Sequence, residues 1–180
     1  TIASSTHHLA NQDNKPLRLN EISGTEAPRI NMNDGELNRV LGGGLVRGSI
    51  TLLGGEPGIG KSTLTMQTLL SLSHLKVLYV SGEESAYQLK MRAERLSKGL
   101  KDTSIDHDNL IILCETSLET IFEQIIDIQP ELIIIDSIQT ISTEQVESSP
   151  GSITQVRECS SQLLRFAKTT NTPVLLIGHI

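Results

Sequence analysis

The chain has 180 residues, no Trp, only two Tyr and two Phe, and a formal charge of −6. That length fits one domain with a core of its own, which must then be aliphatic. The charge excludes a protein coated in basic surface yet leaves room for a local basic groove, so bulk charge points to no particular partner.

Cys114 and Cys159 lie far apart, without Cys-x-x-Cys or Cys/His ligand spacing. They read as reduced thiols of a cytoplasmic protein and argue against a metal site. No apolar run approaches the ~20 residues that span a membrane, and the polar N-terminus is no signal peptide, so no membrane partner is expected.

Residues 1–20 are polar and lack a hydrophobic period, which predicts a flexible linker or arm, with His7-His8 as solvated histidines. Structure is expected from Ile22, so that residues 21–180 form the folded core. Asn33 or Asp34 can cap a short helix through about Leu41, with Leu37, Val40 and Leu41 inward, and Gly42-Gly43-Gly44 ends it. An apolar run from Ser49 to Leu53 predicts the first core strand, followed by a glycine-rich turn and a helix to about Ser73.

A second strand is predicted over Lys76–Val80. Ser85 can cap the next helix, whose apolar stripe is Ala86, Leu89, Ala93 and Leu96, with Lys90, Arg92, Glu94 and Arg95 outward. Asn109–Leu113 is a third strand, Leu118–Ile128 an amphipathic helix stopped near Pro130, and Glu131–Asp136 the most hydrophobic strand. A polar loop from Ser142 to Gly151 leads to a helix over about Ile153–Thr169, with Ile153, Val156, Leu163, Leu164 and Ala167 buried, and Pro173–Ile177 is a last strand. Aliphatic strands alternating with helices indicate an α/β fold, a mostly parallel central sheet with helices on both faces. Ligands of such sheets sit at the carboxyl ends of the strands, where Gly55 to Ser62, Glu83, Glu84, Asp136 and His179 all fall.

The turn after the first core strand reads Gly54-Gly55-Glu56-Pro57-Gly58-Ile59-Gly60-Lys61-Ser62-Thr63. Gly55, Gly60, Lys61 and Ser62 fit the phosphate-loop pattern. Glycines let the backbone bend until several N–H groups converge on one anion, and the positive end of the following helix adds to the attraction. Lys61 can then reach the β- and γ-phosphates of a nucleotide, while the Ser62 hydroxyl is placed to ligate Mg2+. A plain glycine-rich turn with a solvated lysine is the bland alternative, and the strand before, the helix after and the intact Lys-Ser pair weigh against it.

Asp136 ends a strand of four aliphatic residues, the pattern of the acid that holds magnesium directly or through water. Alone it would read as a turn cap; behind an upstream phosphate loop the metal role is the better reading. Hydrolysis also needs a base to orient and deprotonate water. Glu83 and Glu84 stand side by side past the second strand, where adjacent carboxylates would raise one another's pKa; acids opening a helix are the equal alternative. The loop from Ser142 to Gly151 is long enough to be a binding loop, and Arg157, Arg165 and Lys168 follow it at near-helical spacing, as a nucleic-acid face or as a solvated one.

Together with the phosphate loop, several stretches resemble the bacterial RadA (Sms) family of recombination proteins, distinct from the archaeal recombinase of the same name. They are Arg39-Val40-Leu41-Gly42-Gly43-Gly44-Leu45-Val46-Arg47-Gly48-Ser49, Tyr79-Val80-Ser81-Gly82-Glu83-Glu84-Ser85, Ile135-Asp136-Ser137-Ile138-Gln139-Thr140, Gly151-Ser152-Ile153-Thr154-Gln155-Val156-Arg157-Glu158-Cys159 and Gly178-His179. The resemblance covers roughly residues 17–180. It implies a RecA-like P-loop ATPase that forms hexameric rings, binds single-stranded and branched DNA, and drives branch migration in recombinational repair beside the RecA recombinase. Carried over, Glu83 matches the catalytic glutamate, with Glu84 beside it. Asp136 matches the magnesium acid, His179 the polar sensor of the γ-phosphate, and Ser142 to Arg157 the first DNA-binding loop region.

Departures are informative too. That family begins with a four-cysteine zinc finger, so zinc belongs to a segment this chain lacks. It continues past the position of His179 with a Lys-Asn-Arg-Phe-Gly motif and a Lon-protease-like domain, and Arg47 stands where it usually has Pro. The resemblance therefore implies a fragment, the front of an ATPase core. The rival reading is a RecA-like nucleotide-gated assembly or signalling module that moves no DNA, and a replicative-helicase-like motor is a third.

Overall fold

The computed structural model describes residues 16, 18–21, 28–99 and 108–179. The expected arm over residues 1–20, with His7-His8, and the onset of structure at Ile22 lie outside the described residues, apart from an exposed 3-10 turn at Leu19–Glu21 and its neighbours.

A small unit comes first, made of β1 (Arg29–Ile30), α1 (Gly35–Val40) and β2 (Leu45–Val46), with β1 and β2 antiparallel. Asp34 opens α1 by accepting the Leu37 amide at 2.7 Å, which satisfies a donor that the first helical turn leaves orphaned. The chain returns through Gly44, at φ +127°, where an added Cβ would stand 2.3 Å from the Ile30 carbonyl oxygen; only glycine fits. Leu37 and Leu41 pack against the core, but Val40 is 68 % exposed, contrary to expectation. On so short a helix the i, i+4 pair takes the inner face and leaves Val40 beside it.

The main sheet is built from β3 (Ile50–Gly55), α2 (Lys61–Leu70), β4 (Val77–Ser81), α3 (Ala86–Ser97), β5 (Leu110–Cys114), α4 (Leu118–Ile128), β6 (Leu132–Asp136), α5 (Ile153–Thr170) and β7 (Val174–His179). Its five strands are all parallel, in the order β3-β7-β6-β4-β5. One face carries α2 and α3, with Met66, Leu69, Leu70 and Leu89 against Tyr79 and Ile134. The other carries α4 and α5, with Ile121, Ile125, Cys159, Leu163 and Ala167 against Val80, Ile133, Ile135 and Val174. Each buried Leu, Ile, Val or Met of these layers contributes about 1.5–3 kcal/mol, so the core is built with few aromatics.

Two further helices depart from their predicted stripes. In α5 the fully buried line is Gln155, Cys159, Leu163 and Ala167, a strict i, i+4 row; Ile153 falls off it and is 78 % exposed, while Val156 and Leu164 are half-buried. In α3 Leu89 is the one fully buried residue, Ala86 is exposed, and Arg92, expected outward, lies half-buried against Glu84.

Gln155 is buried because it organises the loop before α5. Its Oε1 accepts the Thr143 amide at 2.9 Å, and its Nε2 donates to the carbonyls of Thr143, Val146 and Ser148 at 3.0–3.2 Å. Truncation in Gln155→Ala should cost about 1–3 kcal/mol, the price of orphaned buried backbone groups, and should speed amide exchange across residues 143–148. Unchanged exchange there would contradict this role.

The cysteines should also separate. Burial, then the charges of Glu119 and Glu158, push the Cys159 thiol up to about 11, whereas Cys114 is exposed. At pH 8 a thiol reagent should modify one cysteine per native chain, and the second only in denaturant. Because the folded-state value of Cys159 is raised, its contribution to stability is complete below about pH 9 and is lost as pH rises toward about 11.

Candidate functional site

Parallel register brings the strand ends together. Gly55 pairs with His179, Asp136 with Ile177 on one side and with Ser81 on the other, so β3, β7, β6 and β4 end at one edge. Leaving β3, the backbone turns through Gly58 (φ +78°) and Gly60 (φ +100°), a conformation that side chains resist. Gly60 is the N-cap of α2 and no side chain caps that helix, so the first-turn amides face the loop without a partner from a capping residue. An added Cβ at Gly58 or Gly60 would meet nothing within 4 Å, which leaves the space over the loop open.

Lys61, 8 % exposed, lies in this loop's mouth. Its Nζ donates to the carbonyls of Gly55 at 2.7 Å and Glu56 at 2.8 Å, and stands 3.4 Å from His179 Nδ1. Glu56, Pro57 and Ile59 are exposed on the outer side, and Ser62 and Thr63 are half-buried in the first turn of α2. Open loop, uncapped amides and a sequestered ammonium fit a polyphosphate. The Ser62 hydroxyl and the Asp136 carboxylate are the hard oxygen donors that suit Mg2+, which binds through one or two protein oxygens together with water and phosphate. Among the described residues no group of three His, Cys, Asp or Glu is arranged to hold a metal without such help.

The two glutamates do not form the pair expected of them. Consecutive residues at a strand end diverge. Glu83, with a side chain 54 % exposed, turns toward β6 and β7: Ser137 Oγ donates to its Oε1 at 3.0 Å, and His179 Nε2 lies 3.6 Å from the same oxygen. Glu84 turns the other way and accepts from Arg92 Nη2 at 2.7 Å, with both side chains largely buried. His179 therefore stands between Lys61 and Glu83, and Gln139 Nε2 donates to its carbonyl at 3.0 Å.

Sequence reasoning missed four contributors. Ser137, fully buried, holds Glu83. Gly82 lets the 3-10 turn Ile138–Thr140 close over the end of β4, since an added Cβ would come 2.0 Å from Thr140 Oγ1. Arg92 fixes Glu84. Tyr79, fully buried in β4, donates its phenol proton to Asp136 Oδ2. Burial, followed by the Asp136 charge, pushes the Tyr79 phenol far above its usual range, so it remains a donor. Its position two residues before the end of β4 was visible, but not that β4 lies beside β6.

The region 142–157 is placed by Gln155 and by Glu119, which accepts from the Thr143 hydroxyl and from the Glu144 amide at 3.2 Å. Burial pushes the Glu119 carboxyl up, but these bonds and those from its own amide and Ser117 outweigh it and hold it below the usual carboxylate range. Glu144 and Glu147 project from the loop, and Arg157 is the one cation of residues 142–157. Arg157, Arg165 and Lys168 are all exposed on α5.

The chain and its fold have counterparts among known proteins. The chain is 50 % identical over 163 residues to the DNA repair protein RadA of Pseudomonas aeruginosa, an overlap of 90 % of this chain and 34 % of that one. It is 48 % identical to RadA of Escherichia coli (92 % and 35 %) and 45 % identical to RadA of Bacillus subtilis (96 % and 37 %). It thus spans about a third of the length of the curated relatives it matches. In structure it is similar to the KaiC-like protein PH0186 of Pyrococcus horikoshii OT3, with a TM-score of 0.65 at 20 % identity, over 86 % of this chain and 72 % of that one, a likeness of fold. The AAA domain family matches residues 15–180, from before β1 to past the end of β7. The chain belongs to that family, with the RecA-like fold of a P-loop ATPase core.

Proposed function

We propose that this chain is the nucleotide-binding and hydrolysing part of a RadA-like DNA repair protein that couples ATP turnover to branch migration on single-stranded and branched DNA. The observation that carries the reading is the convergence of Lys61, Glu83, Asp136 and His179 on one sheet edge, in a sequence about half identical to RadA. Backbone amides of Gly58 to Thr63 bind the phosphates, and Lys61 stabilises charge on the transferring group. Ser62 and Asp136 hold Mg2+, which supplies neutralisation of the phosphate oxygens when bound.

Glu83 is the base. It is half-exposed and oriented by Ser137, as a group that must meet a water molecule should be, whereas Glu84 is committed to Arg92. His179 touches both the lysine and this base, and through its carbonyl the turn that leads to residues 142–157, which suits a sensor linking nucleotide to the DNA loop.

In an intact RadA-like protein the nucleotide lies between subunits of a homo-hexamer, with the zinc finger and the Lon-protease-like domain outside this core and the RecA recombinase as partner in the cytoplasm. Cations from a neighbouring subunit are worth about 10³–10⁵ in rate where an arginine finger acts. This chain alone therefore binds nucleotide and hydrolyses it poorly. The second reading, a nucleotide-gated assembly module, is favoured by one observation: residues 142–156 carry Glu144 and Glu147 and no cation.

Glu83→Gln in the full-length protein should keep ATP binding and lower turnover about 10²–10⁴-fold, while Glu84→Gln should retain turnover and lower the melting temperature; the reverse pattern would reassign the base. Purified alone, the chain should show weak hydrolysis that DNA does not stimulate, and robust DNA-stimulated turnover would refute the trans-acting cations. Single-strand binding by the full-length protein should weaken with salt and with Arg157→Ala. Hydrolysis indifferent to DNA, with no salt-sensitive binding, would favour the assembly module.

A further inference from the structure

We propose that Tyr79 is the positioning residue of the magnesium-side carboxylate: its phenol fixes one oxygen of Asp136 so that the other is presented to the metal's ligand shell. This rests on the reading of Asp136 as the magnesium acid. Three observations carry it. Strands β4 and β6 pair in parallel with Tyr79 opposite Ile134 and Ser81 opposite Asp136, so Tyr79 and Asp136 project to the same face, the one covered by α2. Tyr79 is fully buried and Asp136 is 7 % exposed, so their bond is made away from bulk water. Among the described residues no other side chain hydrogen-bonds the Asp136 carboxylate.

The chemistry of the partner matters. A metal-side carboxylate needs its orientation fixed and its negative charge left intact, and a neutral hydroxyl does both. A cation in the same place would compete with Mg2+ for that charge. The cation nearby is Arg92, which acts on the Tyr79 phenol electrostatically but spends one nitrogen on Glu84; its Nη1 is buried and has no hydrogen-bond partner.

The test is the affinity of a fluorescent ATP analogue, measured with Mg2+ and with EDTA, for the chain and for Tyr79→Phe, Asp136→Asn and the double variant. Tyr79→Phe keeps the ring that fills the core and removes only the hydroxyl. It should lower the Mg2+-dependent gain in affinity about 10-fold, the usual cost of losing a group that orients a metal ligand, and leave affinity in EDTA unchanged. In the Asp136→Asn background it should have no further effect. If Tyr79→Phe retains the full Mg2+-dependent gain while Asp136→Asn abolishes it, the role of Tyr79 is overturned. Equal weakening in Mg2+ and in EDTA would also overturn it, since that is what loss of packing alone would give. A full Mg2+-dependent gain in Asp136→Asn would instead overturn the underlying reading of Asp136.

Discussion

Parallel pairing of β3, β7, β6 and β4 is the constraint from which the site follows. Because the strands run the same way and in near register, Gly55, His179, Asp136 and Ser81 arrive at one edge; Asp136, His179 and Glu83 leave from a strand end or just after it, and Lys61 and Ser62 from the first turn of the helix that follows β3. The hydrophobic effect fixes this arrangement, since β4 and β6 are buried on both faces and a slip of one residue would turn Asp136 toward α4 and α5 and Ile135 toward α2.

On that frame the two glutamates have separate work. Glu83 is half-exposed, shared between Ser137 and His179, and free to meet water; Glu84 is tied into a half-buried ion pair. Removing one partner of a partly buried pair leaves a charge that is incompletely compensated, so such a pair is held in place even where its net contribution to stability is small. Adjacency in sequence suggested one shared carboxylate site, and the divergence of neighbouring residues divided it.

Most elements were readable from the chain because their cause is local. Aliphatic runs gave the five strands to within about two residues, Ser85 and the Asn33-Asp34 pair gave helix starts, and the phosphate loop carried its own glycine spacing. What was not readable depends on which strands are neighbours. Tyr79 is an ordinary core aromatic until β6 is placed beside β4, and Arg92 is an ordinary surface cation until the bend at Gly82 carries Glu84 over it. Val40 and Ile153 failed for the opposite reason: apolar character puts a residue inside only where the helix turns that face to the core.

The central claim is that this edge holds a nucleoside triphosphate through the loop and Lys61. It is tested most directly by titration calorimetry of a non-hydrolysable ATP analogue with Mg2+ into the chain and into Lys61→Ala. The account predicts binding by the unaltered chain and a loss of about tenfold or more in the variant, equivalent to about 1.4 kcal/mol. Equal affinity of the two, or no binding by either, would contradict it.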